Sequence, residues 1–205
     1  MEPTLIWILV SVLGGFVLAL LLGRVLVPAL RALKAGQSIR EVGPKWHQGK
    51  AGTPTMGGIV FILSSLLCIV TGWHAMRETG DYKHLFVLAL ALMFGLIGFA
   101  DDFIKVKKKR NLGLIWWQKI IGRVLVSVAF SLYCYFSPLV GSSILVPFFN
   151  VEWDLGVLYV PLMTLVMIFM INSANLQDGL DGLLSSVTVI SSAAWGLMAV
   201  FVALA

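Results

Sequence analysis

Two short stretches of this chain combine side chains that can do chemistry on a polar substrate. In Asp101-Asp102-Phe103-Ile104-Lys105, two adjacent carboxylates precede an ammonium. In Asn172-Ser173-Ala174-Asn175-Leu176-Gln177-Asp178-Gly179-Leu180-Asp181-Gly182, an amide or a carboxylate recurs every three residues. Each stretch sits where a long apolar run ends. Acidic side chains at the edge of a bilayer cost free energy and are normally kept for function. Carboxylates so placed suggest a metal site facing a polar substrate, because hard divalent cations take oxygen ligands.

Spacing refines both readings. Asp101 and Lys105 are four apart, so on a helix they share a face and can pair, with Asp102 about a quarter-turn away. A helix end held by that salt bridge, with the following basic residues touching anionic lipid, accounts for this stretch equally well. In the second stretch, directions drift along an unbroken helix, and Gly179 and Gly182 allow the backbone to break and re-aim Asp178 and Asp181. A broken helix at a membrane edge offers backbone groups as well as side chains to a polar ligand. Asp181 capping the next helix is the plain alternative, and it leaves Asn172, Asn175 and Asp178 unexplained. A third segment, Lys50-Ala51-Gly52-Thr53-Pro54-Thr55-Met56-Gly57-Gly58, can turn on its Gly and Pro and offer Lys50 and two Thr hydroxyls to a phosphate. It lacks the Gly-Lys-Ser/Thr ending of a Walker loop. His47 is a lone loop histidine, read as solvated or hydrogen-bonded.

The elements that position these residues are membrane helices. Of 205 residues, 59% are hydrophobic and 12% charged, and the mean hydropathy is +0.95. Soluble domains are about half apolar and about a quarter charged, so the chain is polytopic in a membrane and all-α. Apolar runs at Leu5–Leu22, Met56–Trp73, Leu85–Ala100, Ile120–Phe136, Val157–Ile171 and Leu183–Ala205 predict about six spans. Residues 145–156 mix aromatics with turn formers and suit a small outer-surface hairpin or an interfacial aromatic belt. Cys68 and Cys134 lie inside apolar runs and read as small apolar fillers. With no linker, repeat or cleavable leader in the pattern, residues 1–205 read as a single transmembrane domain.

Charge distribution predicts orientation. The segment from Arg24 to Thr55 holds Arg24, Arg31, Lys34, Arg40, Lys45 and Lys50, and that from Asp101 to Lys119 holds Lys105, Lys107, Lys108, Lys109, Arg110 and Lys119. The loop from Ser137 to Gly156 has no Lys or Arg. The positive-inside rule puts both basic loops in the cytoplasm and the N-terminus outside. Counting spans then brings Asp101, Asp102, Asp178 and Asp181 to the cytoplasmic face. The formal charge of +5 is thus a topology signal, and no nucleic-acid partner is expected.

Residues Lys34-Ala35-Gly36-Gln37-Ser38-Ile39-Arg40, Gly43-Pro44, His47 and Gly52-Thr53-Pro54-Thr55-Met56-Gly57-Gly58 resemble the first cytoplasmic loop of the bacterial phospho-N-acetylmuramoyl-pentapeptide transferases. Asp101-Asp102-Phe103-Ile104-Lys105 and Asn172…Asn175…Asp178-Gly179-Leu180-Asp181-Gly182 resemble two signatures of the wider polyprenyl-phosphate sugar-1-phosphate transferase superfamily. The resemblance implies transfer of phospho-MurNAc-pentapeptide from UDP-MurNAc-pentapeptide to undecaprenyl phosphate, with Mg²⁺, giving lipid I and UMP at the bacterial inner membrane. It implies catalytic roles for Asp101, Asp102, Asp178 and Asp181, with Asp178 and Asp181 holding Mg²⁺. Lys50, Thr55, Lys105, Lys119, Asn172 and Asn175 would bind substrate. A homodimer is a candidate assembly.

The resemblance runs the length of the chain but matches only the N-terminal part of a family that usually has ten spans. The chain is therefore expected to be the N-terminal portion of a longer protein. Gln177 stands where the family usually has Thr, and Trp117 where a basic residue is more frequent. Other readings are a related N-acetylhexosamine-1-phosphate transferase, a membrane aromatic prenyltransferase, a transporter and a non-catalytic membrane fragment. Lys105 and the first loop argue against the prenyltransferase, whose motif usually has a second acid there. Transporters place polar groups near the midplane, whereas here they sit at one edge.

Overall fold

A computed structural model of the chain describes residues 3–32, 54–80, 82–108, 112–146, 149 and 151–204. Six helices follow in order: α1 Pro3–Ala32, α2 Gly58–Thr79, α3 Lys83–Lys108, α4 Trp116–Phe136, α5 Tyr159–Gln177 and α6 Leu183–Leu204. Five of them are long and apolar enough to cross a membrane. α2, with 22 residues, is of comparable length. The sixfold helical pattern expected from the sequence is therefore present.

Boundaries moved outward in two places that matter. α1 was expected to end at Leu22 and instead continues to Ala32, carrying Arg24 and Arg31 on the helix. Val25, Leu26, Val27 and Leu30 extend the apolar pattern, and long Arg side chains can reach a polar boundary from within a helix. The apolar run Leu85–Ala100 ends within α3, which continues to Lys108. The Asp101–Lys105 motif is thus helical.

The expected hairpin is present. Strands β1 (Ser143–Val146) and β2 (Val151–Asp154) pair antiparallel, with Ser143 opposite Asp154 and Val146 opposite Val151. Residues 156–158 form a 3₁₀ turn that leads into α5.

The chain divides into two compact units, Met1–Val126 and Ser127–Ala205. In the first, α1 packs on α2, and α2 meets α3. Small residues permit these approaches: a Cβ at Gly14 of α1 would lie 3.2 Å from Leu67 of α2, and one at Gly95 of α3 would lie 3.5 Å from Ile62 of α2. Membrane helices use small residues at contacts because apolar burial alone does not drive association in lipid. In the second unit, Ser127 and Ser131 of α4 are buried. Thr164 of α5 donates to Ser131 Oγ at 3.4 Å, and Tyr135 lies against Tyr159.

Large apolar side chains such as Phe16 (63% exposed), Phe61 (70%) and Phe201 (71%) face outward. Buried apolar residues among those described are only Leu30, Val60 and Tyr159. Buried groups otherwise include Ser64, Ser127, Ser131 and Thr164. This inside-out pattern suits a chain whose solvent is hydrocarbon.

Candidate active site at the end of the third helix

The last two turns of α3 carry Asp101, Asp102 and Lys105, and Lys107 and Lys108 follow. Carboxylates near a helix C-terminus face the negative end of its dipole, and ammonium groups in the same turns offset that cost. Lys105 Nζ lies 2.7 Å from Asp101 Oδ2 and 2.8 Å from Asp102 Oδ1. Asp102 was expected to point away from the Asp101–Lys105 pair. Lys105 reaches it nonetheless, because positions three and four residues apart both neighbour one another on a helix surface.

A second cation joins from α4. Lys119 Nζ lies 2.8 Å from Asp101 Oδ1. The same oxygen accepts the backbone N–H of Leu114 at 2.8 Å. Asp101 is therefore held by two ammonium groups and one amide, and its side chain is only 13% exposed. Asp102 is more open, at 30%, and among the described residues Lys105 is its one ion-pair partner.

The loop between the helices comes in close. Gly113 is buried, and a Cβ there would lie 2.5 Å from the Asp101 carbonyl oxygen and 2.8 Å from its carboxyl carbon. Only glycine fits at that distance. Gly113 and the Leu114 amide were not anticipated; the one available signal was a glycine between two apolar residues in Leu112-Gly113-Leu114, next to a helix start. α4 begins after a turn in which the Ile115 N–H donates to Gln118 Oε1 at 3.1 Å. Trp116 and Trp117, at the start of α4, are exposed (72% and 46%).

The other predicted residues belong to other elements. Asn172 and Asn175 are on the last turns of α5, half-buried and exposed respectively. Asp178 caps that helix, its N–H donating to the Ala174 carbonyl at 3.3 Å. A tight turn follows, with Gly179 N–H donating to Leu176 O at 3.1 Å and Leu183 N–H to Leu180 O at 3.2 Å. Gly182 adopts φ +80, a conformation L side chains rarely take. The break expected at these glycines is thus present, and Asp178 and Asp181 are both exposed on it. Thr55 is half-buried just before α2. Lys50 and the rest of the basic first loop, His47 included, lie outside the described residues.

Two carboxylates on one exposed turn suit Mg²⁺, which is commonly held by one or two protein carboxylates with substrate phosphates completing its shell. Among the described residues, no group of three or more His, Cys, Asp and Glu side chains gathers into a ready-made cage.

Comparison with known proteins adds to this geometry. The family described as glycosyl transferase family 4 matches residues 84–204. Residues 50–62 match phospho-N-acetylmuramoyl-pentapeptide-transferase signature 1. The chain is 42% identical over 193 residues to the phospho-N-acetylmuramoyl-pentapeptide-transferase of Bacillus subtilis, covering 94% of this chain and 59% of that protein. It is 48% identical over 170 residues to the protein of the same name from Heliobacterium modesticaldum, covering 82% and 51%. With that of Clostridium kluyveri the identity is 43% over 180 residues, covering 88% and 56%. The chain thus spans between half and three-fifths of the length of these relatives.

Proposed function

The chain belongs to glycosyl transferase family 4, and from that premise we propose that it belongs to an enzyme moving a phospho-N-acetylmuramoyl-pentapeptide group from its UDP carrier to undecaprenyl phosphate. The products are lipid I and UMP. The observation that carries this reading is the Asp101–Asp102 pair bridged by Lys105 at the end of an apolar helix. The signature match at residues 50–62 favours the muramoyl-pentapeptide substrate.

Physical chemistry supports the assignment. One substrate is a water-soluble nucleotide and the other a lipid, so their phosphates meet only at the membrane surface. Both are anions, and cationic groups must offset their repulsion. Lys105 is built into the site; Lys50, Thr55, Lys119, Asn172 and Asn175 are proposed to bind phosphate or nucleotide oxygens. The Asp101–Asp102 pair serves the lipid phosphate by orienting it or removing its proton. An oxygen of that phosphate attacks the sugar-bearing phosphorus of the UDP substrate. A new P–O bond forms, the diphosphate bond to the uridine side breaks, and UMP leaves with its electron pair. Asp178 and Asp181 would hold Mg²⁺ and orient the diphosphate. When bound, the ion supplies charge stabilisation to the leaving phosphate.

The two basic loops support placing this chemistry on the cytoplasmic face of a bacterial inner membrane, with the N-terminus outside. The test is UMP release by the full-length enzyme in detergent, with undecaprenyl phosphate, Mg²⁺ and UDP-MurNAc-pentapeptide or UDP-N-acetylglucosamine. Release with the first sugar nucleotide, abolished in Asp102→Ala, is expected. Release only with the second reassigns the substrate. No release with either, or full release by Asp102→Ala, defeats the proposal.

A further inference from the structure

The β1–β2 hairpin has two unlike faces. Cross-strand partners share a face, and neighbours along a strand alternate between faces. The observed register therefore puts Ile144, Val146, Val151 and Trp153 on one face and Ser143, Leu145, Glu152 and Asp154 on the other. The first face is wholly apolar, and the second carries both carboxylates of the hairpin. The apolar face is open: Val151 is 47% exposed and Trp153 58%, while Ile144 and Val146 are half-buried. Two strands alone are marginal in water, so this face calls for an occupant.

The attachment of the hairpin points to which one. Residues 137–142 join it to the end of α4, and residues 155–158 join it to the start of α5. Both connections are folded: Gly141 N–H donates to Ser137 O, Leu158 N–H to Leu155 O, and Leu155 N–H closes the base on Ser142 O, each at 3.0 Å. The hairpin is thereby kept beside the ends of two helices long and apolar enough to cross a membrane. Exposed apolar side chains continue from those ends into the connections, with Phe136 and Leu139 on one side and Val157 and Leu158 on the other. Charge agrees with this placement. Residues 137–156 contain no Lys or Arg, and both acids lie on the face opposite the apolar four. An indole on an apolar face beside a helix end suits the boundary between headgroups and acyl chains.

We propose that the hairpin is a membrane-surface anchor. Ile144, Val146, Val151 and Trp153 rest on lipid at the headgroup boundary, and Glu152 and Asp154 turn to water. The contact is apolar and uses no cation, so a zwitterionic bilayer is enough to receive it. It ties the end of α4 and the start of α5 to the bilayer surface, a role separate from the reaction proposed above.

The test uses the full-length protein, freed of native cysteines, in phosphatidylcholine vesicles. A nitroxide label is attached through Val151→Cys, Trp153→Cys, Leu145→Cys or Glu152→Cys, one site at a time. Collision with oxygen, which partitions into lipid, is compared with collision with a water-soluble nickel chelate. Labels at 151 and 153 are expected to favour oxygen several-fold over those at 145 and 152, which should favour the chelate. Chelate access at 151 and 153 equal to that at 145 and 152 overturns the proposal, because the hairpin then stands in water. Poor access of both reagents at 151 and 153 also overturns it, because a second copy or another part of the full-length protein then covers the face. An unlabelled measurement guards against variants that fail to fold. Emission from Trp153, taken as the difference between wild type and Trp153→Phe, should be quenched by phosphatidylcholine brominated near the headgroup and spared by aqueous iodide. Quenching by iodide, or by neither, defeats the anchor.

Discussion

Lys105 serves two carboxylates at once, and that single fact reorganises the Asp101–Lys105 motif. On a helix surface, residues three and four positions apart are both neighbours, so one flexible ammonium can bridge Asp101 and Asp102. Exposed ion pairs contribute little; this cluster gains from the low exposure of Asp101 and from the Leu114 amide, which fixes its geometry. Gly113 is the residue most sensitive to change here. A methyl group at that position has backbone on one side and a carboxyl group on the other, and neither can yield cheaply. Gly113→Ala should destabilise the protein by about 1–3 kcal/mol, the usual cost of overpacking, and lower turnover by displacing Asp101. A thermal-unfolding scan in detergent beside the UMP assay checks both. Unchanged Tm and activity would mean that the loop does not press on Asp101.

Among the elements, helices carry the acids and turns aim them. α3 continues to Lys108, so its motif is rigid and its side-chain directions follow from helical spacing. α5 stops at Gln177 and the chain reverses through Gly179 to Gly182, which presents Asp178 and Asp181 on a turn. The β1–β2 hairpin is an independent small element with its own electrostatic tie. Asp154 accepts from the Ser142 hydroxyl and, at 2.9 Å, from the Gly156 N–H. These bonds, the Ser142 bond first, stabilise the charged form and hold the carboxyl below its ordinary value of 3.8. A depressed folded-state pKa stabilises the hairpin above the unfolded value and loses that effect as pH falls through the folded one. Neutral and mildly acidic pH therefore leave the hairpin's ends joined. A carbon NMR titration of Asp154 should give a midpoint below 3.8 that rises in Ser142→Ala; a midpoint at or above it in the wild type would remove the tie.

At the scale of the whole molecule, hydrocarbon is the solvent. Outward-facing Phe, Leu and Val along α1, α3 and α6 would be a severe liability in water and cost nothing in lipid. Charge distribution then sets which loops stay inside. In a variant with both native cysteines replaced by Ser, a cysteine at Tyr82 should react with a membrane-impermeant thiol reagent added to intact cells. One at Ser38 should react only after the cells are opened. The reverse pattern would invert the topology and move the Asp101 site to the outer face. Against relatives of which this chain spans 59% or less, the same scale bounds the activity test: it belongs to the full-length enzyme.

Composition and period were enough to place the helices, because a bilayer allows few structures and demands long apolar runs. They also placed the glycine break after Gln177 and offered a hairpin as one of two readings of residues 145–156, since turn residues carry their conformational preference locally. Asp101, Asp102, Lys105 and Lys119 were named as candidates from residue type and from resemblance. What the sequence could not separate was Asp101 from Asp102. Their difference lies in contacts made by Leu114 and Lys119, 13 and 18 positions further on, and local spacing carries no information about which backbone amide a folded loop will bring back. The role of Gly113 was hidden for the same reason. Its need for no side chain is set by the proximity of Asp101, which only tertiary packing creates. The helices α1 and α3 outrun their apolar runs, because a helix near a membrane surface tolerates charge once long side chains reach water or pair with a neighbour.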